Sequence, residues 1–191
     1  KERNFLAFDC GATSGRAILG VFNGNAFTME EVYRFPNQTV EIDGKYYWDV
    51  NGIYEHIRKC LSDLGKRHIR IDSVGIDTWG VDFGCVGGDG SLLGMPRAYR
   101  DPYTDGVPER FFNIISRERL YALTGIQTMN FNTIFQLYAQ MEERCPNLRE
   151  ARHLLFIPDL LSYLLAGEKV CEYTVASTSG LMNQKTKRLE A

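Results

Sequence analysis

Asp9 and the small-residue turn behind it, Cys10-Gly11-Ala12-Thr13-Ser14-Gly15-Arg16, form the first place in this chain where side chains could do chemistry. The apolar run Phe5 to Phe8 reads as a buried strand that ends on the Asp9 carboxylate. Backbone N–H groups and hydroxyls in such a turn can cradle phosphate oxygens. The carboxylate can hold Mg²⁺ beside them, directly or through water, and Arg16 adds a fixed positive charge. The turn is not a P-loop, because it lacks a Lys-Ser/Thr pair and leads into a further strand-like run, Ala17-Ile18-Leu19. It is not a dinucleotide fingerprint either, since G-x-G-x-x-G is absent. The plain alternative is a tight hairpin that needs glycine at positive φ.

A second cluster follows in residues 75–84, Gly-Ile-Asp-Thr-Trp-Gly-Val-Asp-Phe-Gly, where an apolar strand runs into Asp77, Thr78, Trp79, Gly80 and Asp82. Ligands of α/β sheets bind beyond strand ends. An indole suits the C–H face of a polyol, and the carboxylates, hydroxyl and bare backbone suit its hydroxyls. The plain alternative is a capped turn with a core tryptophan. Two further polar segments are weaker. In the loop Tyr99 to Gly106, Arg100 and Asp101 could pair with each other or line a site. Phe131-Asn132-Thr133 reads as the start of a helix capped by Asn132.

The elements that must position these groups are legible as periodicities. Asn23-Gly24 between Ala17–Phe22 and Ala26–Phe35 predicts a hairpin, as does Asp43-Gly44 between Val40–Ile42 and Tyr46–Trp48. Gly87 to Gly90 between Val81–Val86 and Ser91–Leu93 predicts a third. Val50, Ile53, Tyr54, Ile57, Leu61 and Leu64 mark one face of a helix with Asp49 as its N-cap, and a strand over Ile71–Ile76 follows. Beyond residue 105 the pattern is helical. It predicts helices over Val107–Ile115 and Arg117–Leu123, the second stopped by Gly125. A third helical face, from Ile134 to Met141, breaks near Pro146. After the short apolar run Leu154–Ile157, Pro158 opens a buried helix that stops at Gly167. Hairpin-linked strands carrying a phosphate turn, then alternation of helix and strand, predict one α/β domain of the ribonuclease H-like, actin-type ATPase kind, with a mixed sheet and flanking helices.

Composition narrows the partners. The 191 residues carry 22 basic and 24 acidic side chains and show no basic stripe, which argues against a nucleic-acid partner. No run reaches membrane-spanning length and no signal peptide opens the sequence, so no membrane partner is expected. The five scattered cysteines include no C-x-x-C, which points to reduced thiols and a cytoplasmic location. His56, His68 and His153 show no metal-ligand spacing.

Over nearly its whole length the chain resembles the N-terminal domain of the FGGY family of carbohydrate kinases. The resemblance rests on Asp9 to Arg16, Tyr47-Trp-Asp-Val50, Ile71 to Phe83, Tyr99-Arg-Asp-Pro102, Thr124-Gly-Ile-Gln127, Phe131-Asn-Thr133, Pro158-Asp159, Glu172-Tyr-Thr174 and Ala176-Ser-Thr178. The string from Asp77 to Phe83 is the most specific of these. It points to the branch of the family that phosphorylates L-rhamnulose at the C1 hydroxyl, with L-fuculose or another deoxyketose as alternatives. The resemblance implies an active site in a cleft between two ribonuclease H-like domains. Residues 1–191 would be the N-terminal, sugar-binding side, incomplete and without the C-terminal ATP domain. It implies ATP and Mg²⁺ as cofactors, with Ala12, Thr13, Ser14, Gly15 and Arg16 at the ATP phosphates, Asp9 at the metal, and Thr78, Trp79, Gly80 and Asp82 at the sugar. The family's general-base Asp, in a His-Asp-Thr segment, is expected downstream of Ala191, so the isolated chain is expected to be inactive. Cys10 stands where many relatives have Leu or Ile, and Gly84, where Val or Leu is common, is expected to weaken its strand slightly. Two other readings remain. One is a ribonuclease H-like nuclease with Asp9, Asp77 and Asp82 as ligands for two-metal hydrolysis. The other is an actin-like sugar-binding module without chemistry.

Overall fold

Strand β1 (Arg3–Cys10) turns Leu6, Phe8 and Cys10 into the core and Ala7 and Asp9 to the opposite face, the period-two alternation of a half-buried strand. The computed structural model describes residues 2–189. Strand β2 (Ser14–Phe22) returns antiparallel to β1, and β3 (Phe27–Pro36) returns beside β2. Their bend is the predicted Asn23-Gly24 turn, in which the Asn23 side chain accepts from the N–H groups of Asn25 and Ala26 at 3.0 and 2.9 Å. The second predicted hairpin joins β4 (Thr39–Ile42) to β5 (Lys45–Trp48) through Asp43 and Gly44, both at positive φ as a tight hairpin requires. Helix α1 (Val50–Lys66) starts where Asp49 Oδ1 accepts the Gly52 N–H at 2.9 Å. The chain then enters β6 (Ser73–Thr78), set two residues later than the predicted strand and parallel to β1. The sheet order β3-β2-β1-β6, antiparallel hairpins followed by a helical crossover to a parallel strand, is that of the predicted ribonuclease H-like start.

The third predicted hairpin forms only in part. The Gly87 N–H donates to the Ser91 carbonyl at 2.9 Å, but Val86 alone bridges Leu92. Strand β7 is confined to Phe83–Val86 and pairs along its length with β8 (His153–Phe156). Between them lie a 3₁₀ turn (Pro102–Thr104), α2 (Val107–Phe111), α3 (Arg117–Thr124), α4 (Thr133–Glu142) and α5 (Pro146–Glu150). Helix α2 is shorter than predicted. Helix α3 stops at Gly125, which takes φ 69°. The break after α4 falls at Arg144, at φ 55°, and Pro146 opens α5 rather than ending α4. Helix α6 (Ile157–Ala166) ends on Gly167 at φ 80°, and the short α7 (Tyr173–Ser177) has no counterpart in the sequence reading.

The main core lies between one face of the sheet and helices α1 and α6. Leu6, Phe8, Ala17 and Leu19 meet Ile53, Ile57, Leu160 and Leu161, and the fully buried Trp48 belongs to the same cluster. The other face of the sheet, carrying Ala7, Asp9, Arg16, Gly75 and Asp77, is exposed or half-buried. All five cysteines carry free thiols, and burial pushes Cys10 up to about 12 and Cys60 and Cys85 to about 11, away from thiolate reactivity. Among the described residues no helix is long and apolar enough to cross a membrane.

Candidate active site

The turn after β1 is built by sheet register. Cys10 pairs with Gly15, and the four residues between them close through a 2.9 Å hydrogen bond from the Gly11 N–H to the Ser14 carbonyl. Gly15 admits no side chain, because a Cβ there would stand 2.1 Å from the Phe35 ring. Asn37, which no local pattern singles out, braces the turn from outside. Its side-chain amide donates to the Gly11 carbonyl at 2.8 Å and its backbone N–H to the Thr13 carbonyl at 3.0 Å. Thr13 is exposed, and Ala12 and Ser14 are half-buried. One register step further, Arg16 faces Asp9 and donates Nε and Nη2 to its Oδ2 at 2.9 and 2.7 Å. On the other flank β6 sets Asp77 beside Asp9, so Arg16, Asp9 and Asp77 form a row across three strands on the open face.

This turn fits a nucleotide phosphate with Mg²⁺. Among the described residues no group of three or more His, Cys, Asp or Glu side chains is placed to hold a metal alone. Mg²⁺ does not need one, since it usually keeps waters and takes one or two carboxylates plus substrate phosphates. Asp9, half exposed at a strand end beside small residues and hydroxyls, has the placement such a carboxylate would need.

The second cluster leaves the sheet next to the first, because Cys10 pairs with Thr78 across the parallel strands. The Thr78 hydroxyl donates to the Trp79 carbonyl at 2.8 Å. Trp79 is half-buried and packs on Trp48, ring centroids 4.1 Å apart. Tyr99 lies 6.2 Å from Trp48 and 5.6 Å from Phe131, so a sealed indole floors a wall of three partly open rings. Gly80 lies against Thr178, whose Oγ1 would stand 3.0 Å from any Cβ. A cavity of about 400 Å³ opens between the end of β6 and helices α6 and α7, lined among others by Asp77, Thr78, Gly80, Asp159, Thr174 and Thr178. The larger depression, about 490 Å³ around Tyr47, Cys85, Arg97 and Glu143, contains none of the predicted residues.

Asp82 is placed differently from its neighbours. It is fully buried, and both carboxylate oxygens are occupied from within. Oδ2 accepts from the Trp48 indole at 2.5 Å, the Trp79 indole at 3.0 Å and the Tyr99 N–H at 3.1 Å. Oδ1 accepts from the Gln136 amide at 2.8 Å. Burial pushes the carboxyl up to about 6 against these four donors, which favour the ionised form. The metal-ligand trio of the nuclease reading, Asp9, Asp77 and Asp82, is therefore not assembled, because Asp82 is committed to two indoles. The expected cap Asn132 holds the N-cap position of α4 without a capping bond. Its side chain instead accepts from the Met129 N–H at 2.7 Å. Arg100 does not pair with Asp101; it lies over the Tyr99 ring, while Asp101 is held by Arg97 at 2.9 Å. Trp48 and Gln136 were missed as organisers of the loop. In the sequence Trp48 stands out only as the end of a predicted hairpin strand and as part of a resembling motif, and Gln136 gives no local signal at all.

Residues 4–190 match the model of the FGGY family of carbohydrate kinases, N-terminal domain. The chain belongs to the FGGY family of carbohydrate kinases. A rhamnulokinase of Bacteroides thetaiotaomicron is 51% identical to this FGGY domain over 189 residues, covering 99% of the chain and 39% of that protein. A rhamnulokinase of Yersinia pestis is 43% identical, covering 95% of the chain and 38% of its own length. The solved gluconate kinase of Lactobacillus acidophilus superposes with a TM-score of 0.85 at 19% identity, over 100% of this chain and 38% of that one, which shows the shared fold. The chain thus spans about two fifths of the length of the curated relatives it matches.

Proposed function

We propose that this domain is the sugar-binding side of an ATP-dependent ketose kinase, and that the enzyme containing it phosphorylates L-rhamnulose at the C1 hydroxyl. The observation that carries the reading is the pairing of Cys10 with Thr78, which sends the phosphate turn and the Trp79–Gly80 loop off the same end of adjacent parallel strands. A phosphoryl donor and a polyol acceptor must be neighbours, and two unlike clusters at neighbouring strand ends suit that need. The 51% identity to a rhamnulokinase supports this sugar over others in the family.

Phosphoryl transfer asks the protein mainly for positioning and charge stabilisation. ATP with Mg²⁺ supplies the transferable group when bound. In this reading the Thr13 and Ser14 hydroxyls and the turn's N–H groups hold phosphate oxygens, Arg16 offsets their charge, and Asp9 faces the cation. Trp79, with Tyr99 and Phe131, covers the apolar face of the sugar, and Thr78 and the bare Gly80 backbone meet its hydroxyls. Removal of the proton from the C1 hydroxyl is assigned to no residue of this chain.

The test is kcat/KM of the complete enzyme across a ketose and polyol panel with saturating ATP and Mg²⁺. L-Rhamnulose is expected to exceed xylulose and glycerol. A clear preference for either of those overturns the assignment, and a preference for L-fuculose moves it to the alternative deoxyketose.

A further inference from the structure

The turn that presents Trp79 and Gly80 is strained. The Asp82 N–H donates to the Gly80 carbonyl at 2.9 Å across a single residue, and that residue is Val81 at φ 67°. A three-residue γ-turn with positive φ at its centre is rare, and a β-branched side chain in that region is a genuine outlier. Such a conformation persists only where its surroundings over-determine it.

The surroundings here are specific. The Val81 carbonyl accepts from the Thr133 hydroxyl at 2.7 Å and from the Gln136 amide at 3.3 Å. The same Gln136 nitrogen reaches Asp82 Oδ1 at 2.8 Å and the Phe131 carbonyl at 2.9 Å, and Gln136 Oε1 accepts from the Tyr103 hydroxyl at 2.7 Å. Thr133 and Gln136 sit on the first turn of α4, and both are buried. Asp82 gathers the indoles of Trp48 and Trp79, the only tryptophans in the chain, and the backbone of Tyr99. No lysine or arginine pairs with it among the described residues. A carboxylate with no cation, no exposure and only donors around it is placed to orient those donors rather than to meet a ligand.

We infer that Asp82, Thr133 and Gln136 are positioning residues: they clamp the strained Gly80–Asp82 turn from inside so that Trp79, Gly80 and Tyr99 are held in place before a sugar arrives. This rests on the ketose-kinase reading of the loop and deepens it. It moves Asp82 from the sugar's own contacts to the frame behind them, and it adds two residues from a helix more than fifty positions away.

Asp82→Asn keeps shape but brings one acceptor oxygen where four donors converge. If the oxygen stays on the indoles, the new amide faces the Gln136 amide. Turning Gln136 would set its oxygen against the Val81 and Phe131 carbonyls. The complete enzyme carrying this change is expected to show a sugar KM raised roughly tenfold or more, with the KM for ATP within about twofold. Trp79→Phe keeps a ring and removes the N–H. Combined with Asp82→Asn it is expected to add little, because both changes break one connection. Fully additive losses would show that Asp82 meets the sugar itself, and would overturn the inference.

Thr133→Val keeps the argument testable if Asp82→Asn fails to fold. It removes only the buried hydroxyl on Val81, and a sugar KM raised about threefold or more with an unchanged far-UV circular dichroism spectrum is expected. An unchanged sugar KM overturns the clamp. The near-UV circular dichroism of the paired, tilted indoles separates this inference from the functional reading. If the wild-type enzyme phosphorylates no ketose, that reading fails. An indole spectrum identical in wild type and Asp82→Asn would sink the clamp whatever the substrate.

Discussion

Arg16 closes on Asp9 across the first hairpin, with two guanidinium nitrogens on one carboxylate oxygen at 2.9 and 2.7 Å. Arg16 and Asp9 thus neutralise each other across the hairpin. Both side chains are nearly half exposed, so the pair contributes little to stability, about 0–1 kcal/mol. The pair holds two opposite charges aligned at the end of β1, where the proposed function places a nucleotide and its cation.

Arg16→Ala is accordingly expected to leave the melting temperature nearly unchanged while lowering kcat/KM for ATP in the complete enzyme. If the guanidinium acts on the transferring group, the loss is about 2–4 kcal/mol of transition-state stabilisation. Thermal unfolding and a coupled ADP-release assay read the two effects separately. Wild-type kcat/KM for ATP in the variant would remove Arg16 from the phosphate site.

Asp82 makes a pH signature available. Its carboxyl is raised from 3.8 to about 6, chiefly by burial, so the folded state binds this proton more tightly than the unfolded chain. The sign follows by linkage. The contribution is fully present below pH 3.8 and is lost as pH rises through about 6. Against Asp82→Asn, which cannot titrate, the wild type is expected to lose about 3 kcal/mol of relative stability between those limits. The neighbouring Tyr103 phenol does not mask it, because burial holds it protonated. Urea unfolding of both proteins at several pH values measures the difference, and a pH-independent difference contradicts the shift.

What the sequence disclosed and what it concealed divide along one line. The β1 strand, the Asn23-Gly24 turn, the Asp49 cap and the Gly125 and Gly167 stops are set by neighbours within a few residues, and each was legible. Val81 reads as strand in the sequence, because a β-branched residue in an apolar run normally is one and nothing local announces a positive φ. The partner of β7 is hidden for a similar reason. The Gly87–Gly90 turn pointed to Leu92, whereas the ladder forms with β8 some seventy residues on. In the site, the turn from Asp9 to Arg16 and the loop at Trp79 stood out by residue type. Asn37 and Gln136 did not, because their roles exist only once distant segments have come together.

Gly84 tests how closely the core behind the loop is fitted. The glycine adds no side chain to support its strand, although β7 runs unbroken from Phe83 to Val86 beside β8. The missing side chain makes room instead, since a Cβ would stand 2.6 Å from Leu160 Cδ2 and 3.1 Å from Leu92 Cδ1. Both contacts are the far ends of flexible side chains, so they can yield at a cost. Gly84→Val is therefore expected to destabilise by about 1–3 kcal/mol through overpacking. Leu160→Ala alone, at a fully buried site, is expected to cost about 2–5 kcal/mol by leaving a cavity. The two changes occupy and vacate the same space, so the double variant is expected to be clearly more stable than the sum of the single losses, with a coupling of about 0.5–3 kcal/mol. Denaturant unfolding of all four proteins completes the cycle, and strictly additive losses would show that Leu160 does not fill the space beside Gly84.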